Sequence, residues 1–194
     1  MGRYSILLRE TVRALGVASE KRDPYTAGHQ SRVTTLAVEL CKLMGVGRDA
    51  TEGIRIASLL HDIGKIGVPI DILSKPGKLS FGEYAIVKDH CIIGHDIIKD
   101  INFPWPVARI VLDHHETLDG SGYPNGKKSK DISIETRIVS VADMTDAMLS
   151  HRPYHAALTR ETVIEELKKG RKKKLDGDVV DACVGLLESG FHFV

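Results

Sequence analysis

The chain has few cysteines, almost no net charge and no long apolar run, and each shortage removes a class of protein. Its three cysteines, Cys41, Cys91 and Cys183, are odd in number and far apart. That excludes a disulfide scaffold and argues against a thiolate zinc site, so they read as core thiols. A formal charge of +1 over 194 residues leaves no global field to draw the chain onto a nucleic acid polymer or a membrane surface. No apolar stretch is long enough to span a bilayer. The first 23 residues are amphipathic and carry acids as well as bases, unlike a signal peptide, so the cytoplasm is the expected location. Strand-like alternation, internal repeats and low-complexity tracts are also missing.

Helical periods fill the space these absences leave. A first helix is expected over residues 5–20, with Leu8, Val12 and Leu15 inward, ending at Asp23-Pro24. A second begins near Thr26, carries Val33, Leu36, Ala37, Leu40 and Met44 on one stripe, and stops at Gly45 and Gly47. A third starts at Asp49 or Thr51 and runs through Ile54, Ala57 and His61. Residues 64–79, rich in glycine and proline, read as loop. Ser80 and Glu83 have the form of a capping box, opening a helix that carries Ile86, His90, Ile93 and Ile97. Pro104 and Pro106 open a short helix ending at His114-His115. Residues 116–133 are too rich in glycine and turn formers to continue it. Helix resumes near Ile134 and carries Ala142, Asp143 and Asp146, and two more are expected over residues 159–173 and 178–187. At this length the whole chain, residues 1–194, is one all-α, bundle-like domain.

Seven polar residues fall on the apolar stripes: His29, His61, Asp62, His90, His114, His115 and Asp143. Such groups are costly to bury and need partners. A cluster of metal ions would satisfy all of them together. A carboxylate can bridge two cations while an imidazole offers one nitrogen, so the adjacent His61 and Asp62 can serve a pair of metals. Two such ions share a hydroxide that is nucleophilic near neutral pH and hold the oxygens of a phosphate during in-line displacement. Nitrogen and oxygen ligands without thiolate favour iron, manganese, zinc or cobalt over magnesium or calcium. Lys65, three residues beyond Asp62, can return to stabilise charge on a phosphoryl oxygen. The Lys168–Lys174 run reads as a solvated helix end, and Lys75-Pro76-Gly77-Lys78 reads equally as a turn or as a basic contribution to the pocket.

The run His61-Asp62-Ile63-Gly64-Lys65 resembles the signature of the HD phosphohydrolases. With His114-His115-Glu116, Asp119-Gly120-Ser121 and Gly122-Tyr123-Pro124, it is similar to the HD-GYP subgroup. Asp23-Pro24-Tyr25-Thr26-Ala27-Gly28-His29, Ile72-Leu73-Ser74-Lys75-Pro76-Gly77-Lys78-Leu79 and Arg152-Pro153-Tyr154 extend the likeness from about Val12 to Val180.

The resemblance implies the HD phosphohydrolase fold and hydrolysis of cyclic di-GMP to linear pGpG, in some members onward to GMP. One metal would take His29, His61, Asp62 and Asp143, and a second Asp62, His90, His114 and His115. Iron or manganese come first, with zinc, cobalt and nickel behind them. Lys65 would be the catalytic lysine, Asp146 would lie beside the bridging water or substrate, and Arg152 would hold a substrate phosphate. Lys75, Tyr123 and His155 join the substrate contacts. The Gly122-Tyr123-Pro124 loop would also meet diguanylate cyclase domains, a homodimer is expected, and the helix over residues 5–20 would link to an upstream sensor or receiver domain.

Two positions depart from the pattern. Tyr25 stands where some members place a glutamate for a third metal, so two metals are expected, and His155 stands where many carry lysine or arginine. The competing readings are an idle module that binds cyclic di-GMP or a protein partner, and a phosphodiesterase for another cyclic dinucleotide such as cyclic GMP-AMP.

Overall fold

The computed structural model describes residues 3–23, 27–150 and 157–192, which hold ten α-helices and no strands. They are α1 (Arg3–Glu20), α2 (His29–Leu43), α3 (Arg48–Leu60), α4 (Ile70–Leu73), α5 (Phe81–Lys88), α6 (His90–Ile98), α7 (Val107–Asp113), α8 (Ile134–Leu149), α9 (Arg160–Gly170) and α10 (Gly177–Glu188). None is long and apolar enough to cross a membrane. The all-helical, single-domain architecture expected from periodicity is the one observed.

Helix α8 is the axis of the bundle. Ile138, Val139, Val141 and Ala142 are buried on several of its faces, and α2, α3, α7, α9 and α10 all pack against it. A helix apolar on more than one side has to be an inner helix. The stripe of Val33, Leu36, Ala37 and Leu40 on α2 and that of Ile54, Ala57 and Leu60 on α3 meet it from one side. Val163 and Leu167 of α9 and Val179, Val180 and Cys183 of α10 close the other. Each valine, leucine or isoleucine among them contributes roughly 1.5–3 kcal/mol of burial. All three cysteines are buried and free, as core thiols should be.

Helix starts follow their caps. Ser133 accepts from the Thr136 amide, Thr159 from Thr162, and Asp176 from Asp178 and Val179. Both halves of the capping box at Ser80 and Glu83 form. The helix it opens is shorter than the spacing predicts, because α5 ends at Lys88 and α6 begins afresh at His90. The cause lies across the interface. A 3₁₀ turn, Ile63–Gly67, lies against α6, and a Cβ on Gly64 would sit 1.9 Å from the His90 carbonyl oxygen. Only glycine lets these backbones approach so closely. The stretch expected to be loop, residues 64–79, therefore holds this turn and the single-turn helix α4.

Helix α1 is fastened at its C-terminal half. Val12 is buried, Ser19 Oγ donates to the Asp62 carbonyl at 3.0 Å, and Glu20 accepts from the Gln30 amide at 2.7 Å.

Candidate metal centre

Five of the seven polar residues stand at helix ends rather than along helix faces. His29 opens α2 behind Gly28, whose φ of 74° is left-handed, and His61 follows α3 directly. His90 opens α6, and His114 and His115 follow α7. Asp143 lies within α8, and Asp62 begins the 3₁₀ turn. Helix ends from five elements thus converge on one point.

Three imidazoles are aimed by their own chain. His61 Nδ1 lies 2.7 Å from the Ser58 carbonyl, His90 Nδ1 2.7 Å from Val87 and His114 Nδ1 2.7 Å from Val111, each three residues back. A carbonyl only accepts, so Nδ1 carries the proton and Nε2 is left as a lone-pair donor facing inward. His29 is aimed differently, by Asp146 Oδ2 at 2.6 Å, itself held by Arg32 through Nε at 2.7 Å and Nη2 at 3.1 Å.

The inward atoms form two overlapping groups. Ligand atoms of His29, His61 and Asp143 lie within 4.8 Å of one another, as do those of His90, His114 and His115. Asp62 stands between, with His61 and His114 in a third such group. Its Oδ2 is 3.5 Å from His61 Nε2 and its Oδ1 is 3.5 Å from His90 Nε2. The Nε2 atoms of His29 and His61 are buried and make no hydrogen bond. Orphaned buried nitrogens of this kind fit a metal site.

The electrostatics favour ligation. Burial opposes charge on Asp62, yet Lys65, His61 and His90 hold its carboxyl well below the usual carboxylate range. Burial likewise opposes charge on Asp143, and His29, His61 and His115 outweigh it. Burial and the neighbouring imidazoles push His114 well down, and burial takes His115 to about 3. Ionised carboxylates and neutral imidazoles are the metal-binding forms. At His29 burial also lowers the pKa, but Asp143 and Asp146 raise it to about 9. A divalent ion held by His29 and Asp143 would take the place of that proton.

Beside the cluster a cleft of about 230 Å³ is lined by Asp62, Lys65, His114, His115, Thr117, Ser140 and Met144 among others. Lys65 Nζ lies 2.8 Å from Asp62 Oδ2 and 3.3 Å from Asp23 Oδ2, so it reaches the cleft on a short tether. The Gly122-Tyr123-Pro124 segment packs against His115 and Glu116, two residues that line the cleft. A Cβ on Gly122 would fall 2.5 Å from the Glu116 Cα and the His115 carbonyl, and the Tyr123 ring lies against His115 at 4.7 Å between centroids. Glu116 accepts from the amides of Asn125 at 2.7 Å and Lys127 at 2.9 Å, closing the loop.

Not every expected site residue arrives there. Asp146 was expected beside substrate or water, but it is 1% exposed and sits behind His29, bonded to that ring and to Arg32. A carboxylate flanked by those two cationic groups is already satisfied. Lys75 is held by Glu83 at 2.7 Å. Tyr25, Arg152 and His155 lie outside the described residues. Sequence reasoning gave no role to Asp23, Arg32, Ser19 or Ser140, whose Oγ donates to the His114 carbonyl at 2.5 Å. Asp23 opens the Asp23-to-His29 run that carries the family likeness, a signal that marks it; backbone carbonyls as imidazole partners leave no trace in residue type.

A family model described as "HD domain" matches residues 17–179. A cyclic di-GMP phosphodiesterase of Thermotoga maritima is 41% identical over 185 residues, covering 94% of this chain and 50% of the relative. A 3′3′-cGAMP-specific phosphodiesterase 2 of Vibrio cholerae is 40% identical over 188 residues, covering 96% and 35%. The structure of an HDG"Y"P protein from Bdellovibrio bacteriovorus superposes with a TM-score of 0.69 at 24% identity, over 82% of this chain and 51% of that one. The chain belongs to the HD domain family and is of the HD-GYP type. It spans about half the length, or less, of the curated relatives it matches.

Proposed function

We propose that this chain is a metal-dependent phosphodiesterase that opens cyclic di-GMP to linear pGpG and can carry it on to GMP. The observation that supports this most is Asp62 standing between two three-residue ligand groups with an oxygen toward each. His29, His61, Asp62 and Asp143 would hold one divalent ion, and Asp62, His90, His114 and His115 the other. Such a pair supplies a nucleophilic water near neutral pH and a clamp on the phosphate oxygens.

The chain's own residues do the rest. Lys65, tethered by Asp62 and Asp23, presents a cation where negative charge grows on the phosphoryl oxygens. The carbonyls of Ser58, Val87 and Val111 keep three imidazoles from turning, so the centre needs no rearrangement when substrate arrives. Tyr123, packed against His115 and with the Lys88 ammonium 5.3 Å from its centroid, would contact the substrate beside His115. Iron or manganese are the metals we expect, because the donors are imidazole and carboxylate without thiolate.

A second substrate is favoured by one observation: the cyclic di-GMP and cGAMP enzymes above are almost equally similar to this chain, at 41% and 40% identity. The test is turnover of cyclic di-GMP and 3′3′-cGAMP, separately and in competition, by protein loaded anaerobically with iron or manganese whose stoichiometry is measured. Release of pGpG with about two metals per chain is expected. Loaded, folded protein that binds cyclic di-GMP and leaves it intact would overturn the catalytic reading and favour the idle module. Faster cleavage of cGAMP would reassign the substrate alone.

A further inference from the structure

Away from the metal centre, α1, α2 and α3 meet around a second cleft of about 270 Å³, and none of its lining residues lines the first. Arg9 and Arg13 reach it from α1, Ser31 and Thr35 from α2, and Arg55 from α3. Three guanidinium groups share it with one carboxylate close by. Glu52 takes Arg9 in a two-pronged bond, Nε to Oε1 at 2.6 Å and Nη2 to Oε2 at 2.8 Å. Its Oε2 is also 3.4 Å from Arg55 Nε, but that nitrogen is buried and makes no hydrogen bond. Arg13 makes no ion pair among the described residues. Glu52 thus serves both Arg9 and Arg55, and no carboxylate is among the residues that line the cleft.

We propose that this cleft is a binding site for a small phosphorylated anion. A phosphate carries the charge the cleft lacks and a set of oxygens that guanidinium forks match. Ser31 brings a hydroxyl to the same mouth, while the Thr35 hydroxyl one turn on donates to the Ser31 carbonyl at 2.9 Å. The ligand would receive hydrogen bonds from Arg13, from the Arg55 donors and from the Ser31 hydroxyl, while Arg9 stays with Glu52. Such a ligand would also pin α1 to the α2–α3 pair and stabilise the fold by mass action. This inference stands apart from the catalytic reading, because it uses no residue of the metal centre.

The experiment is a titration of inorganic phosphate and, in a second arm, GMP into the zinc-loaded full chain, followed by backbone amide chemical shifts. We expect saturable shifts at Ser31, Thr34, Thr35 and Leu59, weakened about tenfold or more by Arg13→Gln, the loss of one charged hydrogen-bond pair. Arg48→Gln, at the exposed start of α3, should change nothing. GMP binding tighter than phosphate would identify a nucleotide ligand, and equal binding a site for the phosphoryl group itself. Thr35→Glu places a carboxylate among the arginines and should weaken phosphate as strongly while keeping the melting temperature. Shifts confined to residues around His114 and Asp143, or equal affinities for wild type, Arg13→Gln and Thr35→Glu, would overturn the proposal.

Discussion

The two sides of the metal centre hold their imidazoles in different ways. On the side of α6 and α7, His90 and His114 are aimed by carbonyls three residues back in the chain, Val87 at the end of α5 and Val111 in α7, bonds that do not depend on the side chains at those positions. On the side of α2 and α8, His29 depends on Asp146, 117 positions away, and through it on Arg32. His90 and His114, like His61 beside His29, are set by local chain geometry, and His29 by tertiary contact. Asp62 spans both, with the Lys65 ammonium on its outer face.

Removing the residue common to both sides should cost most. Asp62→Ala is expected to lower turnover of cyclic di-GMP about a thousandfold, the equivalent of about 4 kcal/mol, and to reduce bound metal. Steady-state kinetics beside elemental analysis checks it; unchanged metal content would show that Asp62 does not bridge. Next comes the remote support. Asp146→Asn keeps the shape but cannot hold both His29 and Arg32, and should lower metal affinity or activity about 10–100-fold. A metal titration reads this directly. Ser58→Ala, by contrast, keeps the carbonyl that aims His61 and should stay within about threefold in metal affinity, while the Ile54 carbonyl loses its hydroxyl donor at a stability cost of about 1 kcal/mol. Equal losses for Asp146→Asn and Ser58→Ala would erase the contrast between a remotely held and a locally held imidazole.

Between these lies the loop that Glu116 closes. Glu116→Gln leaves one of two loop amides poorly satisfied and should destabilise by about 1–3 kcal/mol in urea melts, with KM for cyclic di-GMP rising more than kcat falls.

The smallest effect is a pH dependence far from the centre. Burial raises the pKa of Asp176, but its bond from Arg137 at 2.8 Å and those from the Val179 and Asp178 amides bring it below the usual carboxylate range. A pKa depressed in the folded state means that the contribution is fully present above the unfolded value and is lost as pH falls through the folded one, here at about pH 4 and below. Arg137→Gln should shrink that part of the acid unfolding curve.

Residue type and spacing made some of this legible before folding is considered. The apolar stripes of α2, α3 and α8 read directly as core helices, and the capping box at Ser80 marked the start of α5. Periodicity placed the histidines on helix faces, yet most stand at helix ends. The last residue of a stripe and the first residue beyond it have the same spacing, and only hydrogen bonding tells them apart. The bend at Asp89 was invisible for a related reason, since it comes from Gly64 lying against His90.

What the sequence alone determined is the inventory: an all-helical core, a set of imidazoles and carboxylates too costly to bury without a shared partner, and a lysine three residues beyond the central carboxylate. Those follow from side-chain chemistry and period, which are local properties. Tertiary structure decided which nitrogen of each ring faces inward, that Asp62 lies between the two groups, that Asp146 stands behind His29 rather than in the cleft, and that Arg13 and Arg55 share a second cleft. Each depends on groups far apart in the chain brought within a few ångströms by packing, and residue spacing carries no record of such distances.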